Sequence, residues 1–207
     1  MSSIHLRDGV IGIRWHGRGG QGAVTGAIAL AVAAVEEGLY AQAFPEFGAE
    51  RRGAPVRAYN RISKKPIITR SVVSEPDVVI VLDSSLSPSV YLSGLKPGGW
   101  VIINSKQGAR ALVEKLNIDN VAVVDATGIA LKFIKAPIVN TSMLGAVAKD
   151  LSFISLEALA KAIARIVFEV EVEDVESYLS SSQADPRVKA NIEALREAYM
   201  RTEVISR

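Results

Sequence analysis

Between Val10 and Ala31 the chain passes from an apolar run, Val10-Ile11-Gly12-Ile13-Arg14-Trp15, through His16-Gly17-Arg18-Gly19-Gly20-Gln21-Gly22, into Ala23-Val24-Thr25-Gly26-Ala27-Ile28-Ala29-Leu30-Ala31. This order predicts a strand over about 10–15, a glycine turn and a helix over about 20–37 that stops at Gly38. A strand that turns on glycine into a helix is the opening unit of an α/β sheet. Glycine lets the backbone turn tightly and leaves its N–H groups uncovered. The helix start adds a positive end, so the turn suits an anion, most often a phosphate. The helix is alanine-rich and apolar all round, which predicts cover on more than one face.

The rest of the chain continues the alternation. Strands are expected at 39–44, ended by Pro45, at 56–62, and at 67–73. Asp77-Val78-Val79-Ile80-Val81-Leu82-Asp83 and Trp100-Val101-Ile102-Ile103-Asn104 read as strands covered on both faces, and another is expected at 121–124. Helices are expected at 84–95, 107–116, 125–134, 141–151, 156–168 with Ser155 as N-cap, and 186–202. The reading is a single three-layer α/β domain over residues 1–207. Its sheet is mixed but mostly parallel, with helices on both faces and a helical C-terminal part.

Composition narrows the chemistry. The 207 residues suit one sizeable domain, and 49% apolar residues supply its core. A net charge of +2 argues against bulk nucleic-acid binding. With no cysteine, the chain forms no disulfide and gives an iron–sulfur cluster no thiolate. Two histidines make a histidine-based zinc site unexpected. No apolar run approaches the length of a membrane span and the start lacks a signal-peptide core, so a cytoplasmic protein is expected. Charge is nonetheless uneven. Residues 51–70 hold seven basic side chains and no acid; residues 167–185 hold six acids and no base. Such separation suggests distinct contact surfaces.

Gly17, Gly19 and Gly22 fit a G-x-G-x-x-G spacing, but a dinucleotide site also wants an acid at the end of the second strand. Glu46 lies beyond Pro45, and Glu36 and Glu37 fall inside the helix, so an NAD site is disfavoured. The glycines equally suit close helix–sheet packing or contact with another subunit. Arg18 and Gln21 add a cation and an amide donor. Phe44-Pro45-Glu46-Phe47-Gly48-Ala49-Glu50-Arg51-Arg52 offers an arginine pair for an anion or an interface, with Glu46 and Glu50 as possible partners within the loop. Asn140, Thr141 and Ser142 open a helix, either as its cap or as ligand contacts. His16 is expected to be structural. No nucleophile–base–acid set and no metal constellation is legible.

These three motifs occur in order: Gly17-Arg18-Gly19-Gly20-Gln21-Gly22, then Phe44-Pro45 through Glu50-Arg51-Arg52-Gly53-Ala54-Pro55-Val56-Arg57-Ala58, then Asn140-Thr141-Ser142-Met143-Leu144-Gly145-Ala146. Together they resemble the gamma subunit of 2-oxoacid:ferredoxin oxidoreductases, the pyruvate and ketoisovalerate group. The resemblance implies a complex that oxidatively decarboxylates a 2-oxoacid with coenzyme A and reduces ferredoxin. It implies alpha, beta and delta partner subunits that carry thiamine diphosphate, magnesium and the iron–sulfur clusters. This chain would hold none of these alone and would help bind coenzyme A, with no catalytic residue of its own. On that reading Gly17, Arg18, Gly19, Gly20, Gln21 and Gly22 face a phosphate. Arg51 and Arg52 meet an anion or a subunit, and Asn140 and Thr141 mark the neighbouring helix start. No nucleic acid or membrane is expected, and the isolated chain is open to homodimer formation. The alternative is a stand-alone phospholigand-binding module.

Overall fold

The computed structural model describes residues 4–6, 9–46 and 54–207. The opening strand β1 (Val10–Arg18) leads into α1 (Ala23–Glu36), followed by β2 (Tyr40–Pro45), β3 (Pro55–Ser63) and β4 (Val78–Val81). The second half holds α2 (Pro88–Tyr91), β5 (Trp100–Asn104), α3 (Ala109–Leu116), β6 (Asn120–Val124), α4 (Ala126–Phe133) and α5 (Asn140–Asp150). It ends with α6 (Leu156–Phe168), α7 (Val175–Ser180), α8 (Pro186–Arg201) and β7 (Glu203–Ser206).

These strands form one sheet in the order β2-β3-β1-β4-β5-β6-β7. The β1–β4, β4–β5 and β5–β6 pairings are parallel; β1–β3, β2–β3 and β6–β7 are antiparallel. Five of the seven strands therefore run in one direction, with β3 and β7 reversed. Both faces of the central strands are dry, which is why they read as unbroken apolar runs. On one face Trp15, Ile80, Leu82 and Ile102 pack with Leu30 of α1, Met143 of α5, Leu159 of α6 and Leu195 of α8. On the other, Val79, Val81, Val101 and Ile103 pack with Tyr91 and with Leu112, Val113 and Leu116 of α3.

Several boundaries differ from the sequence expectation. β1 runs three residues further, because its ladder with β3 continues to the Arg18–Pro55 pair. Pro45 closes β2 from inside, which an edge strand tolerates. The strand expected at 67–73 does not form. Side chains take its carbonyls instead, Gln42 Nε2 donating to Ile67 O at 3.3 Å and Arg61 to Ser71 O. The helix expected over 84–95 shrinks to α2, since the buried Arg14 guanidinium donates to the carbonyls of Tyr91, at 3.1 Å, and Ser93. α7 and β7 are additions. β7 exists by pairing with β6, a signal four residues of sequence cannot carry.

Candidate functional site

β1 and β4 are neighbours whose following segments leave on opposite faces of the sheet. α1 joins the larger core, whereas the segment after β4 joins the smaller one through Tyr91. The crevice at the carboxyl ends of two such strands is where open α/β sheets bind ligands. Here the crevice gathers Arg18, Gln21, Asp83 and Ser85. Asp83 Oδ2 accepts from Arg18 Nε at 3.0 Å and from Gln21 Nε2 at 3.2 Å. Asp83 Oδ1 accepts from Ser85 N at 2.9 Å, and an Arg18 terminal nitrogen donates to Ser85 Oγ at 3.1 Å. Burial pushes the Asp83 carboxyl up, but hydrogen bonds from Ser85, Gln21 and Arg18 outweigh it and hold the group below the usual carboxylate range.

The turn is smaller than expected, and part of its backbone is already engaged. Gly17 and Arg18 belong to β1. Arg18 N donates to Gln21 Oε1 at 2.7 Å, Gly19 N to Ala54 O at 3.0 Å and Gln21 N to Arg18 O at 3.1 Å. Gly20, Gly22 and the first turn of α1 are what the loop has left to offer an anion. No side chain caps α1, whose N-cap is Gly22 at φ 83°. A Cβ on Gly22 would fall 2.7 Å from Asn140 Nδ2, so Asn140 and the loop lie against each other. A Cβ on Gly26 would fall 2.9 Å from the Trp15 ring, so close helix–sheet packing is realised one turn later.

The two residues expected at the neighbouring helix start diverge. Asn140 abuts the loop and its Oδ1 accepts from Thr141 N at 2.9 Å. Thr141 turns inward instead, 1% exposed, and its hydroxyl donates to Asn191 Oδ1 on α8 at 2.8 Å. Arg51 and Arg52 lie outside the described residues. Glu46, expected to pair within its own loop, accepts from Arg57 at 2.7 Å and from the Tyr59 hydroxyl. Burial, the Glu46 hydrogen bond and the Glu46 charge push that phenol up to about 12. His16 is structural: its Nε2 accepts from Arg14 Nε at 2.9 Å. Burial first, then the charges of Arg14 and Arg57, push its pKa down to about 3. It stays uncharged near neutrality.

Two clefts flank the clasp. One, about 440 Å³, lies between Gly17, Arg18, Glu46 and Arg57 on one side and Ser85, Leu86 and Val90 on the other. The second, about 430 Å³, runs along the ends of β4, β5 and β6 past Gln21, Asp83, Lys106 and Thr127. Asn104 ties its floor together, donating to Leu82 O and Thr127 Oγ1, both at 2.8 Å. The sequence shows Asp83 only as the polar end of an apolar run, and nothing in it singles out Ser85 or Lys106. Asp125 caps α4, accepting from Gly128 N at 2.8 Å, and lines the second cleft. A signal for Asp83 and Lys106 was present in principle, since each lies two residues past the end of a buried parallel strand.

The family model described as pyruvate ferredoxin/flavodoxin oxidoreductase matches residues 12–200. The chain belongs to this family. Its similarity is to the gamma-type chains. It is 48% identical to the pyruvate/ketoisovalerate oxidoreductases common subunit gamma of Thermococcus litoralis, covering 94% of this chain and 98% of that one. It is 42% identical to the pyruvate synthase subunit PorC of Thermotoga maritima, covering 90% and 92%. The crystal structure of the Thermotoga maritima pyruvate oxidoreductase subunit PORC superposes with a TM-score of 0.76 at 38% identity, covering 94% and 98%. The gamma-subunit resemblance and the mixed α/β sheet are thus both borne out.

Proposed function

We propose that this chain is the coenzyme A-binding, non-catalytic gamma subunit of a pyruvate-type 2-oxoacid:ferredoxin oxidoreductase working in the cytoplasm. The observation that carries the reading is the Arg18–Gln21–Asp83 clasp at the uncapped head of α1, set at the switch point between β1 and β4. The clasp supplies a fixed guanidinium, and the helix end supplies backbone donors and a partial positive charge. A pyrophosphate of coenzyme A is the matching anion. Gly20 and Gly22 let it approach, Gly17 and Gly19 hold the loop against β3 and β4, Asn140 braces it, and Thr141 anchors Asn140's helix to α8. Arg51 and Arg52 are assigned to a further anion or to a companion chain.

The carbon and electron chemistry is assigned to the alpha, beta and delta chains. Iron–sulfur clusters need thiolates, and this sequence has no cysteine to give. Thiamine diphosphate and magnesium go with the same companions, and ferredoxin is met through the complex. Ile28 and Val35 on α1 and Tyr40 on β2 are 37%, 59% and 49% exposed, apolar surface suited to cover by another chain. No helix among the described residues is long and apolar enough to cross a membrane.

Arg18→Ala in the assembled enzyme tests the role. The KM for coenzyme A should rise about tenfold, the worth of one charge-assisted contact, while kcat at saturating coenzyme A holds. An unchanged KM removes the loop from coenzyme A binding. The stand-alone alternative requires the isolated chain to bind a nucleotide as tightly as the complex does.

A further inference from the structure

The bond that makes His16 structural also sets its tautomer. Arg14 Nε donates to His16 Nε2, so the uncharged ring carries its proton on Nδ1. That Nδ1–H has no hydrogen-bond partner among the described residues, although His16 is only 2% exposed. The unpartnered side-chain atoms sealed from solvent are Ser142 Oγ and Asp150 Oδ2; His16 Nδ1 is not one of them and opens on the cleft that the residue lines. Arg57 stands directly across from His16 in the β1–β3 ladder, which sets the two Cβ atoms about 5 Å apart. Its Nη2 goes to Glu46, while its Nε and Nη1 have no partner among the described residues. Two unspent donors therefore lie side by side, one of them deeply buried. They are on the face of the sheet away from α1, where the His16 ring meets Tyr91 edge-on with centroids 6.4 Å apart.

The surroundings favour an anion over a neutral acceptor. Arg14 is buried, and its partners are all uncharged: the His16 ring and the carbonyls of Ser74, Tyr91 and Ser93. After burial, the charges of Arg14 and Arg57 are what depress the His16 pKa, so the ring stands in a positive potential. Among the described side chains here, Arg14, Arg18 and Arg57 oppose Glu46 and Asp83, which leaves one positive charge to balance. The remaining wall is apolar, with Val56, Leu86 and Val90. We propose that the His16–Arg57 cleft binds a small monocarboxylate, one oxygen accepting from His16 Nδ1–H and the other from Arg57, with a short apolar tail against Leu86 and Val90. The site goes beyond the coenzyme A reading and uses none of the loop at the head of α1. A phosphate dianion brings a second charge that the cleft does not balance, and is the poorer fit.

Long-range proton–nitrogen NMR correlation of the full chain with labelled histidine tests this. The chain has two histidines, and His5→Gln identifies the His16 signals. The ring should show its proton on Nδ1 at pH 7. Isobutyrate should move the Nδ1 signal saturably, with a Kd on the order of millimolar for so small a ligand. Isobutyramide, equal in shape but uncharged, and inorganic phosphate should each bind about tenfold more weakly. Arg57→Gln should weaken isobutyrate about tenfold, the worth of one charge-assisted contact, and leave isobutyramide unchanged. A signal that moves no further than sodium chloride moves it at equal ionic strength overturns the proposal. Phosphate binding as tightly as isobutyrate overturns it too, and a ring protonated on Nε2 removes the donor on which the site is built. Should Arg57→Gln fail to fold, the parent chain decides alone: equal affinity for isobutyrate and isobutyramide rules the carboxylate grip out.

Discussion

Asp83 and Asp150 are the same side chain under opposite conditions. Burial pushes both carboxyls up. At Asp83 three neighbours answer with donors, and the carboxyl ends below its ordinary range. At Asp150, the last residue of α5, Oδ2 has no hydrogen-bond partner among the described residues. The residue is 1% exposed, and burial pushes its pKa up to about 7 against the weaker pull of Lys149. It also sits at the negative end of its helix. Asp83 is the shallower of the two and has the donors; Asp150 is deeply buried and its Oδ2 lacks one, so depth and donors act together. The molecule places its well-served acid at the crevice and its ill-served one beside Ile4, whose N–H donates to Asp150 O at 2.7 Å.

The sharpest way to break this comparison is to remove the Asp150 charge. Its folded pKa lies above the unfolded value, so the native state binds the extra proton between about pH 4 and pH 7. Stability is full below the unfolded pKa and falls as pH rises through that window, by about 4 kcal/mol in total. Asp150→Asn should flatten the slope. Chemical denaturation of parent and variant at pH 4.5, 6 and 7.5 reads it directly. Two curves of equal slope would mean that Asp150 is not strained by its charge.

The contrast also marks what one sequence discloses. The runs at 78–82 and 100–104, the cap at Ser155 and the glycine turn were legible because each is local: periodicity, one side chain or one backbone need defines it. Ser155 accepts from Ala158 N at 3.0 Å as its position implies. The clasp was not legible, since Arg18 and Asp83 lie 65 residues apart and meet only because β1 pairs with β4. Asp150 looked like an ordinary helix residue, because nothing local says that Leu151 will bridge to Ile4 and bury it. α1 read as apolar all round, but cover from α5, α6 and the sheet leaves Ile28 and Val35 exposed. Thr141 and Asn140 are adjacent in sequence, yet the helical step turns one to α8 and the other to the loop.

Removing the well-served acid should cost less, and its sign with pH is opposite. In Asp83→Ala the donors of Ser85, Gln21 and Arg18 lose their acceptor. With Arg18 37% exposed at its side chain, water softens the loss to about 1 kcal/mol. Because the folded pKa is depressed, this contribution is present above the unfolded value near 4 and fades as pH falls through the folded one. Parent and variant should therefore separate at pH 7 and converge in acid, the mirror image of Asp150. A gap that persists undiminished at pH 2.5 would assign the effect to packing.

Ser85→Ala makes the finest cut. The backbone N–H of Ser85 still reaches Asp83 Oδ1 at 2.9 Å, while the hydroxyl that neighbours Arg18 is gone. Ser85 is exposed, so stability should shift by no more than about 0.5 kcal/mol. The informative readout is the Asp83 carboxyl itself, followed by carbon-detected NMR through an acid titration. Its midpoint should move up toward the ordinary carboxylate range yet stay below it, because Arg18 and Gln21 still donate. A midpoint that does not move would assign the depression to those two donors and the Ser85 backbone amide alone. A midpoint above the ordinary range would mean that burial at the crevice outweighs them, and the distinction between the two acids would then rest on a single hydroxyl.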